Sequence, residues 1–345
     1  MKKTKFIIIA VLLTVCCLSA CSNNTGKSFA ETGKLRIVTT IFPEYDWVMN
    51  ILGDKAADAD VSMLLDTGVD LHSYQPTAAD ILNISTCDLF VYVGGESDEW
   101  VDDALQEATN KDMVVINQLD VLGDSVKEEE VIEGMQEEDH DQEEDHDHEE
   151  GEHDHDEDEH HHDEDEIEYD EHVWLSLKNA AVLTESISNA LQKIDPQNAD
   201  LYKKNAASYT DRLNALDNEY RLAVSASSVH TLLFGDRFPF RYLVDDYGLS
   251  YYAAFVGCSA ETEASFETIT FLSQKTDELS LPAGMTIEGT DHRIAETIVQ
   301  NTKNKDQQIL TMDSMQSVTA KDVENGITYL SIMEKNLAVL KEALK

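Results

Sequence analysis

Short β-rich runs alternate with helical stretches along this chain in two successive series, and that alternation constrains its fold more than any other feature. The first series opens on residues 35–40. A helical pattern over 43–52 follows, with Trp47, Val48 and Ile51 spaced for one face. Residues 61–65, 88–93 and 113–117 read as further strands, separated by helices at 76–84 and about 99–108. The second series has strands at 229–234, 251–255, 285–288 and 308–311. Its helices fall at 240–247, 265–279, 293–302 and from 327 to the end. Strands that alternate with helices imply mostly parallel sheets covered on both faces. The expected class is α/β, with two lobes whose ligand would lie in the cleft at the carboxyl ends of the strands.

Between the series, residues 176–194 and 196 to about 224 read as two helices, with Pro196 at a favoured helix start. Leu201, Tyr202, Ala206, Tyr209, Leu213 and Leu216 give the second an apolar stripe. At about 29 residues it would span roughly 43 Å, the length of a strut beside two lobes. The expected boundaries are an N-terminal lobe at 34–175, a helical linker at 176–225 and a C-terminal lobe at 226–345.

One segment breaks the pattern. Residues 137–166 hold 20 Asp or Glu and 8 of the 12 His, within a chain of net charge −44. With almost no apolar residues it buries too little surface to fold alone. The expectation is a disordered acidic, His-rich insertion over about 128–168. Its clusters at His146, His148, His153, His155 and His160–His162 suit a weak metal trap that hands ions to a tighter site, against the plainer reading of a solvated low-complexity run. Such capture weakens as pH falls through about 6.5, the ordinary imidazole value. There is no basic patch for phosphates, which argues against a nucleic-acid partner.

The first residues point outside the cytoplasm. Lys2, Lys3 and Lys5 precede a run over 6–18 that is apolar except for Thr14, too short to span a membrane and laid out as a signal peptide. Leu18-Ser19-Ala20-Cys21 resembles the bacterial lipobox, so Cys21 is the expected lipidation site, residues 1–21 the leader and 22–33 a tether. Cys87 and Cys258, one per lobe, remain as either a disulfide or two buried free thiols.

Three competent metal ligands sit in loops or at strand ends: His72, in Asp70-Leu71-His72-Ser73-Tyr74-Gln75-Pro76-Thr77; His172, in Glu171-His172-Val173-Trp174-Leu175; and Asp313, after the last strand. No close spacing links them, so the residues by themselves only permit a shared site. These segments resemble the metal-binding solute-binding lipoproteins of zinc and manganese ABC importers. His72-Ser73-Tyr74-Gln75-Pro76-Thr77 is similar to that family's first ligand motif. Glu171-His172-Val173-Trp174-Leu175 with Lys178-Asn179-Ala180 is similar to its second, Phe240-Arg241-Tyr242 and Tyr247-Gly248-Leu249 to the segment after its third, and Asp313 to its C-lobe aspartate. An acidic His-rich loop before the second ligand is also typical.

The resemblance, over about 34–345, implies two lobes joined by a rigid backbone helix, with metal between them. It also implies a permease and an ATPase as separate partner chains, attachment to a membrane surface by lipid, a monomer, and capture of Zn2+, with Mn2+ as the alternative cargo. One departure stands out. The family's third His aligns with Arg237, whose guanidinium has no lone pair to give. Asp236 is the expected replacement, with Glu261, Glu263, Glu288 and His292 behind it. Two imidazoles with two carboxylates permit zinc but also suit manganese. A surface adhesin and an extracellular metallohydrolase are the competing readings. The latter lacks a His-Glu-x-x-His helix and a Gly-x-Ser-x-Gly elbow, so no enzyme is expected.

Overall fold

A computed structural model describes residues 34–136, 168–259 and 262–345. Cys21, the tether and the His clusters of the insertion lie outside the described residues.

The N-terminal lobe runs β1 (Leu35–Thr39), α1 (Phe42–Leu52), β2 (Ala59–Met63), α2 (Ala78–Thr86), β3 (Leu89–Tyr92), α3 (Trp100–Gln106), β4 (Val114–Asn117) and α4 (Gln118–Leu122). Helices α5 (Leu177–Ile194) and α6 (Ala199–Ala226) follow. The C-terminal lobe then runs β5 (Thr231–Phe238), α7 (Arg241–Tyr247), β6 (Ser250–Val256), α8 (Phe266–Glu278), β7 (Ala283–Ile287), α9 (Arg293–Asn301), β8 (Gln308–Met312), α10 (Ala320–Glu324) and α11 (Tyr329–Ala343). Each lobe carries a four-stranded parallel sheet, in the order β2-β1-β3-β4 and β6-β5-β7-β8. The two sheets repeat one topology, as the doubled sequence pattern predicts. Strands β3 and β7 are buried along their whole length, which is why they read as continuous apolar runs.

Helix α6 is the strut. Its 28 residues extend about 42 Å at 1.5 Å each. Its first half holds the N-terminal lobe: the Asn205 amide donates to Ile51 O (3.0 Å) and the Tyr209 hydroxyl to Asp46 Oδ2 (3.0 Å) in α1. Its second half holds the C-terminal lobe: the Tyr220 hydroxyl donates to Met333 O (2.6 Å) in α11, and Tyr247 in α7 donates to Asp217 (3.2 Å). Trp47 of α1 meets Tyr329 of α11 edge to face at 5.4 Å, and one cluster of buried apolar side chains runs from Leu35 to Leu344 through both lobes. A core shared this way resists a wide hinge opening, because opening would expose it.

Residues 128–136, expected within the disordered insertion, are ordered. Glu128 bridges Tyr169, and Gln136 N–H donates to Ala254 O of β6 (2.9 Å). Met135 is buried against the core, and the Gln136 side chain accepts from Ser265 N–H (2.8 Å). Residues 128–136 therefore form a stem docked on the C-terminal lobe. Val126, Val131, Ile132 and Met135, sparse but apolar, are what set this stem apart from the charge run after it.

Candidate metal centre

The loops at the carboxyl ends of the strands converge between the lobes. After β2, Asp70 caps a single turn over Leu71–Ser73 by accepting from His72 N–H (3.1 Å). That turn presents the His72 ring to the cleft. Its Nδ1 lies 2.8 Å from Ser97 Oγ and 3.4 Å from Glu171 Oε2. Glu171 Oε2 is buried and makes no other hydrogen bond among the described residues, while Oε1 accepts from Ser97 N–H (2.8 Å). Gly95, at φ +82°, clears the space: a Cβ there would sit 2.3 Å from Glu171 Oε1. Burial works against ionisation of Glu171, but the bonds from His72 and Ser97 outweigh it and hold the carboxyl below its ordinary range.

His172 stands just before α5 and is fully buried. Asp170 Oδ1 accepts from both His172 N–H (2.9 Å) and His172 Nδ1 (3.0 Å), which locks the ring. Trp174, two residues on, ties this segment to the other lobe through Nε1–H to Ser314 O (2.9 Å). Tyr242 does the same from α7, donating to Asp170 O (2.7 Å).

The two imidazoles meet head on, with Nε2 atoms 3.2 Å apart. Asp170 can only accept, so His172 Nδ1 carries the proton and His172 Nε2 presents a lone pair, while His72 Nδ1 lies nearest the Ser97 hydroxyl. Two lone pairs at this distance repel unless a proton or a cation lies between them. Tetrahedral zinc with Zn–N bonds of about 2.0–2.1 Å would place its nitrogens about 3.3 Å apart, so the pair is spaced for it.

The C-terminal lobe approaches with three side chains. Gln316, after β8, directs its amide Nε2 to His172 Nε2 (3.2 Å) and to Asp70 Oδ1 (3.4 Å). Its Oε1 accepts from Ser314 Oγ (3.0 Å), which fixes the amide's orientation. Cys258, after β6, completes the one group of His, Cys, Asp and Glu side chains gathered at ligand spacing among the described residues. One ring nitrogen of His72, one of His172 and the Cys258 sulfur lie within 4.8 Å of one another. Burial, then the Glu129 carboxylate, pushes this thiol well above its ordinary range. Arg237 sits at a register shift in β5, where the strand's pairing with β6 slips between Phe234 and Arg237. Its guanidinium reaches back to Asp70 Oδ2 (2.7 Å) and to Ser259 O (3.3 Å). Burial raises Asp70, but Arg237 and His72 more than compensate and its carboxyl ends below the ordinary value.

Of the sequence candidates, His72 and His172 are brought together; Asp236 and Asp313 are not in the group. Asp236 is nine-tenths buried and spends its oxygens on Arg237 N–H (2.9 Å), Ile287 N–H (3.2 Å) and the Thr290 hydroxyl (2.9 Å). It fastens the loop after β7. Asp313 accepts from Met315 N–H (2.8 Å), and Asn336 brackets its backbone. Its neighbour in charge is Glu288, whose carboxyl is raised by burial and then by Asp313. Glu288 itself holds Ser314 and Gln316 N–H. His292 lies with Asp70, Asp236 and Arg237 on a cleft of about 630 Å3. Glu261 falls outside the described residues. The two cysteines are free and unpaired with each other: Cys87 is buried with its sulfur 3.3 Å from that of Met113.

Residues 37–343 match the family described as ZnuA, zinc-uptake complex component A periplasmic. The zinc-binding protein AdcA of Streptococcus pyogenes is 28% identical over 339 residues, 98% of this chain and 61% of its own length. This chain thus spans about three fifths of the AdcA relatives it matches. The high-affinity zinc uptake system protein ZnuA of Bacillus subtilis is 30% identical over 341 residues, 98% of this chain and 96% of that one. The solved structure of the Zn(II)-bound ZnuA-like domain of Streptococcus pneumoniae AdcA superposes with a TM-score of 0.66 at 27% identity, covering 90% of this chain and 99% of the domain.

Proposed function

The chain belongs to the ZnuA family of zinc-uptake complex components, and from that premise we propose that it captures Zn2+ outside the cytoplasm and delivers it to a membrane permease driven by a separate ATPase. The observation that carries the reading is the facing Nε2 pair of His72 and His172 at 3.2 Å, each ring oriented by an acid behind it. Zinc accepts imidazole and thiolate readily, whereas manganese favours oxygen. Of the carboxylates nearest the pair, Asp170 and Glu171 are turned to imidazole Nδ1 atoms and backbone N–H groups, and Asp70, with Oδ1 3.9 Å from His72 Nε2, is engaged by Arg237, which favours zinc as the cargo.

The residues divide the work. Asp170 holds the His172 ring through Nδ1, and Ser97 with Glu171 flanks Nδ1 of His72, so that the two Nε2 atoms face one point. Gln316 occupies the His172 lone pair until an ion arrives, then swings away. The shared core limits lobe motion, so capture and release proceed by local loop movement, not by a wide closure. Attachment through a lipid on Cys21 and collection of ions by the His-rich segment complete the reading, both on sequence grounds. Membership of a zinc-uptake family supports a binding role for the chain in place of catalysis.

Deletion of the gene tests transport. The reading expects growth arrest in chelator-treated medium, restored by micromolar zinc and by the wild-type gene but not by one carrying His172→Ala. Restoration by manganese alone, or unimpaired zinc uptake in the deletion strain, would refute it.

A further inference from the structure

We propose that the Cys258 thiolate is a direct ligand of the captured metal, making the protein's own ligand set His72, His172 and Cys258. This rests on the zinc-capture reading above and names a donor that reading does not include.

Two imidazoles leave tetrahedral zinc two positions short. The residue the structure brings to them is Cys258, whose sulfur shares a 4.8 Å envelope with a nitrogen of each ring. A tetrahedral centre with Zn–S of about 2.3 Å and Zn–N of about 2.0–2.1 Å needs sulfur and nitrogen about 3.6 Å apart, well inside that envelope. The approach is built into the backbone. Gly257 passes so close to His172 that a Cβ would lie 2.9 Å from its Cε1 and 3.1 Å from Phe238 O, so only glycine lets the loop after β6 run along the ring. Glu129, in the ordered segment before the acidic run, accepts from Cys258 N–H (3.2 Å) and holds the loop in place. Cys258 is in no disulfide and the residue is partly exposed.

Arg237 and Asp236 point the same way. The first is bound to Asp70 and Ser259 and the second to three donors of its own lobe, which leaves the sulfur as the C-terminal lobe's available donor beside the pair. On binding, the S–H bond gives way to a sulfur–metal bond and one proton leaves to solvent. The remaining position falls to a solvent oxygen. A thiolate in the set disfavours manganese and favours zinc or another soft ion.

The test uses cobalt(II) as a coloured stand-in, added to the whole secreted chain in a non-thiol reductant. The expected result is a near-ultraviolet thiolate-to-cobalt charge-transfer band that disappears in Cys258→Ser and persists in Cys87→Ser. Zinc affinity, read by chelator competition, should fall about tenfold or more in Cys258→Ser, while its far-ultraviolet circular dichroism matches wild type. A wild-type protein that binds one zinc tightly, loses it in His172→Ala and yet shows no charge-transfer band would overturn the cysteine assignment and leave zinc capture standing. A wild type with no tight metal site at all would overturn both.

Discussion

Arg237 of β5 holds Asp70, the residue that caps the His72 turn, through a 2.7 Å ion pair across the cleft. The C-terminal lobe thereby fixes the His72 loop of the N-terminal lobe with a cation of its own. The pair depresses the Asp70 carboxyl below its ordinary value. A carboxyl depressed in the folded state contributes stability above its unfolded pKa and loses it as pH falls through the folded one. Arg237→Ala should therefore be less stable than wild type by a constant margin from pH 7 to about 5, with the margin narrowing below about pH 4. Denaturant midpoints across that range check it; a margin independent of pH down to 3 would mean Arg237 acts by packing alone.

Asp170 accepts the Nδ1 proton of His172 at 3.0 Å and so keeps Nε2 free for the metal. Asp170→Asn should bind zinc about 10–100-fold more weakly with its fold intact, the usual cost of losing an acid behind a metal-binding imidazole. Chelator competition measures the loss. Unchanged affinity would show that the tautomer is set elsewhere.

Gln316 competes with the ion. Its amide donates to His172 Nε2 at 3.2 Å, and that hydrogen bond must break before the nitrogen can ligate. A hydrogen bond of this kind is worth about 0.5–1.5 kcal/mol, so Gln316→Ala should tighten zinc binding by up to about tenfold. Weaker binding in this variant would instead make Gln316 a positioning residue for the bound state.

Asp98 is buried behind the His72 loop, where it accepts from Val93 and Gly94 N–H (3.0 Å each). Burial, reinforced by the charge on Glu171, pushes its carboxyl up to about 7. A carboxyl raised on folding costs stability as pH climbs from its unfolded value of about 3.9 towards 7, because the folded state must then hold a buried charge. In metal-free protein Asp98→Asn should be more stable than wild type at pH 8, by something on the order of 1–4 kcal/mol, and should lose that advantage near pH 4. An advantage of equal size at both values would point to packing, not ionisation.

Much of this architecture is legible in the sequence because it is local. The strands of both sheets are short apolar runs between turns, and α6 announces itself through its 28-residue length and its stripe from Tyr202 to Leu216. His72 and His172 are visible because each sits in a motif that resembles the family's. The rest of the site depends on long-range contacts that no spacing encodes. Gln316 meets His172 across 144 residues, and Cys258 reaches the pair only because Gly257 lets its loop touch the ring. Asp236 looks like a ligand beside Arg237 until the loop after β7 claims its oxygens. The stem over 128–136 is hidden by its acidity: Ile132 and Met135 show their use only when packed against the core.

The facing histidines carry the account, and calorimetric zinc titration of metal-stripped protein tests them most directly. Residues 137–166 should be removed so that their imidazoles do not contribute. The account predicts one tight zinc site, with manganese much weaker, and loss of that site in both His72→Ala and His172→Ala. Tight zinc binding that survives both substitutions, or manganese held in preference to zinc, would contradict it.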